Sequence, residues 1–111
     1  MTTALIDPTT FSELQDAAGA DFVIELVAAF LEEAPQILQE LRAAYETGSV
    51  ERFRRAAHSI KSNSLTFGAT ALASMARDLE TGGLPAGSAP IDALEQAYEA
   101  VAVALKALCH D

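Results

Sequence analysis

The sequence predicts an all-α domain, an antiparallel four-helix bundle with a short extra helix at its N-terminus. Alanine is abundant, and the unbranched residues that lose least entropy in a helix are common in a chain that is 50% hydrophobic. Apolar residues recur at helical spacing along four stretches, and short segments with Gly, Pro or Ser separate them. Helices with one-sided apolar stripes and short connections pack as an antiparallel bundle.

The length of the chain indicates one domain over 1–111. A chain of 111 residues can bury one core but not two. An Asp-Pro turn precedes the short first helix, predicted over about 9–18, with Thr9 or Thr10 as its N-cap and Gly19 at its end.

The second helix is predicted over about 20–46. Its apolar residues recur at helical spacing, and they are Phe22, Leu26, Phe30, Ile37, Leu41 and Tyr45. Pro35 lies inside this stretch, where it lacks a backbone donor, so we expect a kink. Two separate helices are an alternative.

Three further helices complete the predicted bundle, over about 49–67, 69–80 and 90–109. Ser49 is a plausible N-cap for the first of them, and Gly68 ends it. The next has Leu72, Met75, Ala76 and Leu79 on one face. The breaker-rich segment "TGGLPAGSAP" is the loop before the last helix. Pro90 suits the start of that helix, whose apolar repeat is Leu94, Tyr98, Val101, Leu105 and Leu108.

Charge and composition exclude several classes of function. The formal charge is −9, which disfavours binding to nucleic acid or to an anionic membrane. The single cysteine, Cys109, cannot form an internal disulfide, which fits a reducing compartment. No apolar run approaches the roughly 20 residues of a membrane span, and the N-terminus lacks the pattern of a signal peptide. We therefore expect a monomer in the cytoplasm that binds neither nucleic acid nor membrane.

The third helix carries an unusual concentration of positive charge around a histidine. Arg52, Arg54, Arg55 and Lys61 are four of the seven cationic residues of the chain. At about 100° per residue, five side chains fall within about 60° of His58 on the helical wheel, namely Arg54, Arg55, Lys61, Ser62 and Leu65. Four apolar side chains and one small polar one gather on the other side, namely Phe53, Ala56, Ile60, Phe67 and Ser64. His58 is therefore predicted to face solvent among cations.

An ordinary solvated face is one interpretation of this pattern. Clustered like charges destabilise a helix slightly, however, so an anion is expected to compensate them, and Glu51 does so only in part. A phosphoryl group on the imidazole would do so better.

Other chemistry has little support in the sequence. A metal site is not indicated, because the only other histidine is His110 and no His/Cys cluster has ligand spacing. A hydrolytic triad lacks a basis, since Ser59 points about 100° away from His58 around the helix. No glycine-rich phosphate loop occurs either, so we expect no cofactor of its own.

The stretch His58-Ser59-Ile60-Lys61-Ser62, continuing to Gly68-Ala69, resembles the signature of histidine-containing phosphotransfer (HPt) domains. That signature is roughly H-x-x-K-G followed after five residues by G-A. The similarity extends over most of the chain. Ser62 stands where the family often has Gly, and it meets most of the same requirement for little bulk.

The resemblance implies a phosphocarrier in a multistep His–Asp phosphorelay. His58 would accept a phosphoryl group from a receiver-domain aspartate and pass it to another, and Lys61 would balance charge on the phosphoryl oxygens. Ser62, Gly68 and Ala69 would be a small neighbour, a helix stop and a tight restart. The partners would be receiver domains of response regulators or hybrid histidine kinases, which would supply the acidic pocket and Mg²⁺. A free-standing protein and a domain of a hybrid kinase both fit this sequence.

Five further residues are assigned on wheel geometry and chemistry. A polar group is expected to orient the ring of His58 through Nδ1, and Glu33 and Glu80 are the two candidates. We assign Arg54 and Arg55 an electrostatic docking role, and we predict that Leu65 contacts the receiver.

Two competing functions remain at this stage. One is a helical-bundle adaptor, never phosphorylated, that binds an acidic partner through the basic face of residues 52–61. The other is an enzyme with its own active site, which predicts a deep pocket, whereas we expect a convex surface around His58.

Overall fold

A computed structural model of the chain describes residues 5–109. Within this range the protein consists of five helices and no strands, which confirms the predicted all-α class. They are α1 Pro8–Ala18, α2 Ala20–Thr47, α3 Val50–Thr66, α4 Thr70–Gly82 and α5 Ala89–Cys109. Each bound lies within two residues of the predicted one.

Helices α2 to α5 form the bundle, and α1 lies outside it. Helix α3 packs against α2 and α4, and α5 closes the bundle by packing against the same two helices. Helix α1 packs against α2 and α3. None of the helices in the described part of the chain is both long enough and apolar enough to cross a membrane.

The first helix begins at Pro8, and its N-cap lies two or three residues before the predicted caps. Asp7 is the N-cap, with its carboxylate accepting hydrogen bonds from the backbone N–H of Thr10 at 3.1 Å and from its hydroxyl at 2.6 Å. Pro8 occupies the first helical position, where its missing N–H would have no helical partner. The prediction of Thr9 or Thr10 as the cap was wrong because Asp7 supplies the better acceptor.

Helix α2 runs through Pro35 without interruption, so the alternative of two helices was wrong. Pro35 cannot donate to the carbonyl of Leu31 four residues earlier. The hydroxyl of Tyr98 on α5 instead donates to that carbonyl at 3.4 Å. A contact between helices therefore satisfies the group that the proline leaves open.

The buried face of α2 is rotated from the predicted stripe. Its buried residues are Val23, Val27, Phe30, Ala34, Leu38, Leu41 and Ala44. Phe22 is 50% exposed, and Leu26, Ile37 and Tyr45 lie only at the edge of the core. On α5 the predicted apolar repeat is buried except for Leu108, which is exposed near the end of the helix. The predicted stripe was built on the large aromatic side chain of Phe22, whereas the smaller Val23 and Val27 are the residues that are buried.

The turn between α3 and α4 fixes the end of the histidine helix. Gly68 has φ +79°, and the N–H groups of Gly68 and Ala69 donate back to the carbonyls of Leu65 and Ser64, which closes the helix in a Schellman motif. The backbone N–H of Asp7 also donates to the carbonyl of Gly68 at 2.8 Å. The start of α1 is thus tied to this turn.

Candidate functional site

Helix α3 divides cleanly into a buried and an exposed face. Phe53 and Ile60 are completely buried, and Ala56 and Ser64 join them in the core. The hydroxyl of Ser64 donates to the carbonyl of Ile60 at 2.6 Å, so this polar residue is satisfied inside the bundle. The side chain of His58 points the other way and is 58% exposed.

Glu80, near the end of α4, lies against the ring of His58. Its Oε2 is 2.8 Å from Nδ1 of the imidazole. The carboxylate is only 19% exposed because α4 packs along α3 at this point. The packing of these two helices therefore sets the position of the ring.

Lys61 contacts the other oxygen of the same carboxylate. Its Nζ lies 2.9 Å from Oε1 of Glu80, and its side chain is 25% exposed. Oε1 is buried and accepts no well-aligned hydrogen bond, so the contact is an ion pair rather than a hydrogen bond. His58 and Lys61, three residues apart on α3, thus share one carboxylate on α4.

The electrostatics of this group keep Glu80 charged. The Lys61 ammonium holds the pKa of the Glu80 carboxyl below its ordinary value, and the His58 ring lowers it further by a smaller amount. Together these effects outweigh the partial burial of the carboxyl, which raises its pKa. An ionised carboxylate can only accept hydrogen bonds, so Nδ1 of a neutral His58 must be the donor. The tautomer that results has its lone pair on Nε2, which is the nitrogen left for chemistry.

Glu33 does not share this arrangement. It lies on α2 and lines a groove with Asn63 and Thr66 of α3, more than one helical turn beyond His58. Of the two carboxylates that the sequence offered as partners of Nδ1, the structure brings Glu80 to the ring and not Glu33. Glu33 lies on a different helix from Glu80 and beside the C-terminal part of α3, whereas Glu80 lies beside His58.

Three small residues surround the site and its turn. Ser62 is exposed one helical turn after His58, and its carbonyl accepts a hydrogen bond from the Thr66 hydroxyl at 3.3 Å. Gly68 forms the left-handed turn, and Ala69 is completely buried at the start of α4. Their positions suit the structural roles that the resemblance implies for them.

The residues assigned to docking lie at different places on α3. Arg54 forms an ion pair with Glu51 at 3.0 Å. Arg55 lies toward α2, where it lines a groove together with Arg52. Leu65 is 51% exposed. The basic cluster is therefore split between the two sides of the helix.

One relationship was missed in the sequence. Lys61 was assigned to an incoming phosphoryl group, and its ion pair with Glu80 was not foreseen. The wheel position of Lys61, about 60° from His58 on the side away from Arg55, was the available signal. The wheel position alone does not say which helix Lys61 faces, because that depends on which helices are neighbours of α3.

No group of three or more His, Cys, Asp or Glu side chains is placed to hold a metal ion among residues 5–109. His110, the other histidine of the chain, lies outside the described residues.

Comparison with known proteins agrees with this geometry. A family model described as Hpt domain matches residues 25–110. The fold is similar to the crystal structure of histidine-containing phosphotransfer protein B (HptB) from Pseudomonas aeruginosa PAO1, with a TM-score of 0.88 and 25% sequence identity. The similarity covers 97% of this chain and 96% of that one. A search of curated proteins returned no match. The family match over most of the chain, together with an exposed histidine on a helical bundle, shows that this protein belongs to the Hpt family of histidine phosphotransfer domains, the phosphocarriers of phosphorelays.

Proposed function

We propose that His58 accepts a phosphoryl group at Nε2 from the aspartyl phosphate of a receiver domain and passes it to the aspartate of a second receiver. The observation that carries this proposal is the contact between Nδ1 of His58 and Glu80 on an otherwise exposed ring. It leaves the unprotonated nitrogen on the solvent side, where a partner protein can reach it.

The transfer step is a displacement at the phosphorus of the partner's aspartyl phosphate. The Nε2 lone pair attacks phosphorus, an N–P bond forms, and the O–P bond to the aspartate breaks, so that the aspartate leaves as a carboxylate. The proton on Nδ1 stays in place, and the ring gains positive charge as the bond forms. Glu80 stabilises that charge through its hydrogen bond to Nδ1. The reverse sequence delivers the group to the next aspartate.

Lys61 is the cation nearest to this chemistry. Its ammonium already lies beside Glu80 and three residues from His58 on the same helix. The ammonium has three donors on a flexible stem, so it can reach toward the phosphoryl oxygens while it remains close to the carboxylate. We infer that it balances their charge.

The partner supplies the rest of the catalysis. Phosphoryl transfer requires positioning and charge stabilisation, and an exposed histidine on a helix surface offers little of either alone. We expect the receiver to contribute an acidic pocket and its Mg²⁺, and this protein to act in the cytoplasm as a monomeric carrier without autonomous catalysis. Exposed Leu65 and the cations Arg54 and Arg55 are the surface that we assign to docking.

Transfer of label from a phosphorylated receiver tests the proposal. Incubation with a panel of radiolabelled phospho-receivers is expected to place an acid-labile, base-stable label on the wild-type protein. A His58→Gln variant is expected to take none while keeping the same helical circular dichroism, because the exposed ring contributes little to the core.

Label retained by the His58→Gln variant would show that another residue is phosphorylated, and it would contradict the role of His58. Wild-type protein that takes no label from any receiver would contradict the phosphocarrier function and favour an adaptor that binds through its basic face.

A further inference from the structure

A groove of about 380 Å³ lies between the C-terminal half of α2 and the N-terminal half of α3. Small side chains, Ala43, Ala44 and Ala56, leave its floor open. The complete lining is Glu40, Ala43, Ala44, Thr47, Arg52, Arg55, Ala56 and Ser59. Ser59 adjoins His58 in the sequence, so the groove begins beside the phosphorylation site.

Two arginines on the α3 side of this groove have no anionic partner. Among residues 5–109, neither Arg52 nor Arg55 forms an ion pair or a side-chain hydrogen bond. Two other arginines on α2 and α3 are paired with carboxylates. Arg42 contacts Asp92 and Glu95 of α5, and Arg54 contacts Glu51. Two like charges three residues apart repel each other slightly. An anion from outside the described residues would relieve that repulsion.

The charge of the groove is positive in a protein whose formal charge is −9. Glu40 on the α2 wall is the one carboxylate that lines it, against two guanidinium groups. A guanidinium presents a planar fork of N–H donors that matches a carboxylate in a bidentate arrangement. The groove therefore suits acidic side chains of a protein surface.

The position of the two arginines places them inside the expected area of contact with a receiver. At 1.5 Å per residue, Arg55 lies about 4.5 Å and Arg52 about 9 Å along the helix from His58. A partner of ordinary size covers about 800 Å² of each protein, a patch of roughly 16 Å radius. A patch of this size centred on His58 therefore extends along α3 beyond both residues.

We propose that this groove, the Arg52–Arg55 groove, binds carboxylate side chains that the receiver carries outside its phosphorylation pocket. This inference rests on the proposed function. The groove selects receivers with a matching acidic surface and speeds their association, and it takes no part in the transfer of the phosphoryl group. Arg55 thus acts with Arg52 and not with Arg54, whose charge Glu51 already balances.

The kinetics of transfer separate docking from chemistry. The receiver that phosphorylates the wild-type protein fastest is chosen as the donor. Transfer from it to the Arg52→Glu/Arg55→Glu variant is measured, with kcat and KM determined separately. Reversal of both charges is expected to lower kcat/KM by about tenfold or more at low salt, through KM, with kcat within about twofold of wild type. The difference is expected to shrink near 1 M salt, where charges more than about 3 Å apart are screened.

A control matched in charge comes from the far end of the bundle. The single variant Arg55→Glu is measured beside the double variant and is also expected to raise KM. Lys106→Glu changes the net charge by the same amount as Arg55→Glu, but Lys106 lies beside Ile24 of α2, about 30 Å along that helix from Ala44. Lys106→Glu is expected to leave KM close to the wild-type value. Phosphorylation of His58 by phosphoramidate, which needs no receiver, is expected to be the same in every variant.

The outcomes distinguish the two proposals. If receivers label wild-type protein and Arg52→Glu/Arg55→Glu transfers with an unchanged KM, the inference about the groove is overturned and the phosphocarrier function stands. A loss of self-association in that variant, seen by sedimentation, would assign the groove to a second copy of the chain and also overturn the inference. If no receiver labels wild-type protein, both proposals fall.

Discussion

Nδ1 of His58 lies 2.8 Å from Oε2 of Glu80, a residue twenty-two positions later on the neighbouring helix. The other oxygen of the same carboxylate lies 2.9 Å from Nζ of Lys61. One partly buried carboxylate on α4 therefore contacts both of the α3 side chains that we propose for the transfer reaction. The position of the histidine ring depends on the packing of two helices as well as on the motif itself.

Replacement of Glu80 by Gln is expected to slow phosphoryl transfer by roughly tenfold or more, the size of effect typical when the hydrogen-bonded partner of a metal-binding imidazole is removed. The amide can still accept from Nδ1–H, but it cannot offset the positive charge that the ring gains. Single-turnover transfer from a phospho-receiver measures the effect. Glu33→Gln is the matched control and is expected to transfer at the wild-type rate; equal loss in both variants would contradict the role of Glu80.

The same carboxyl links stability to pH. Its pKa is lowered in the folded protein from an ordinary value of 4.5, so its stabilising contribution is fully present above that pH and is lost as the pH falls through the lowered pKa. The free energy of unfolding of the wild type is therefore expected to exceed that of Glu80→Gln at neutral pH, and the gap is expected to shrink below about pH 4.5. Urea titrations at several pH values measure this difference in the free energy of unfolding. A difference that grows toward acid pH would contradict a lowered pKa of Glu80.

Replacement of Lys61 by Ala is expected to slow transfer by roughly tenfold, because the variant lacks the charge that balances the phosphoryl oxygens. The protein is expected to stay folded with a lowered melting temperature, because the buried Oε1 of Glu80 loses its cationic partner. Rapid-quench transfer and thermal melts followed by circular dichroism give the two values. A variant that fails to fold would show that the side chain supports the bundle instead.

Truncation of two apolar residues on α3 is expected to affect different properties, stability for Ile60 and receiver binding for Leu65. Ile60 is completely buried, so Ile60→Ala is expected to lower the free energy of unfolding by about 2–5 kcal/mol through the cavity that it leaves. Leu65→Ala, at an exposed position, is expected to leave stability nearly unchanged and to raise KM for the receiver. Urea unfolding and transfer kinetics on both variants test the pair, and an unchanged KM for Leu65→Ala would remove that residue from the docking surface.

Replacement of Gly68 by Ala is expected to destabilise the protein by about 1–3 kcal/mol. Its φ of +79° is unfavourable for alanine, and an added Cβ would lie 2.9 Å from Cβ of Thr10. Gly83→Ala separates the two causes, because Gly83 has φ +76° but nothing within 4 Å of an added Cβ. Urea unfolding is expected to show a larger loss for Gly68→Ala, and equal losses would mean that α1 exerts no steric pressure on the turn.

The spacing of residues along the chain was sufficient to predict the helices and the two faces of α3. Helix-breaking residues at Gly48, Gly68 and the loop before α5 end α2, α3 and α4 locally, so these ends can be identified without knowledge of the fold. The face of α3 that holds Phe53 and Ile60 was also predictable, because the period of a helix places apolar residues together whatever they pack against.

The stripe of α2 was harder to predict for a physical reason. A long helix with apolar residues on much of its circumference has no single obvious face, and the neighbouring helices select which side is buried. Phe22 was therefore placed in the core, whereas Val23 and Val27 occupy it. The carbonyl of Leu31 that Pro35 leaves open likewise accepts a hydrogen bond from Tyr98 of α5, which is distant in the sequence.

The sequence by itself determined the helical class, the exposed position of His58 and the cluster of cations beside it, because each of these follows from local spacing on one helix. Only the tertiary structure decided between Glu33 and Glu80 at the ring, joined Lys61 to the same carboxylate and separated Arg55 from Arg54. These relationships depend on which helices are neighbours and where along their length they meet. A helical wheel carries no information about either.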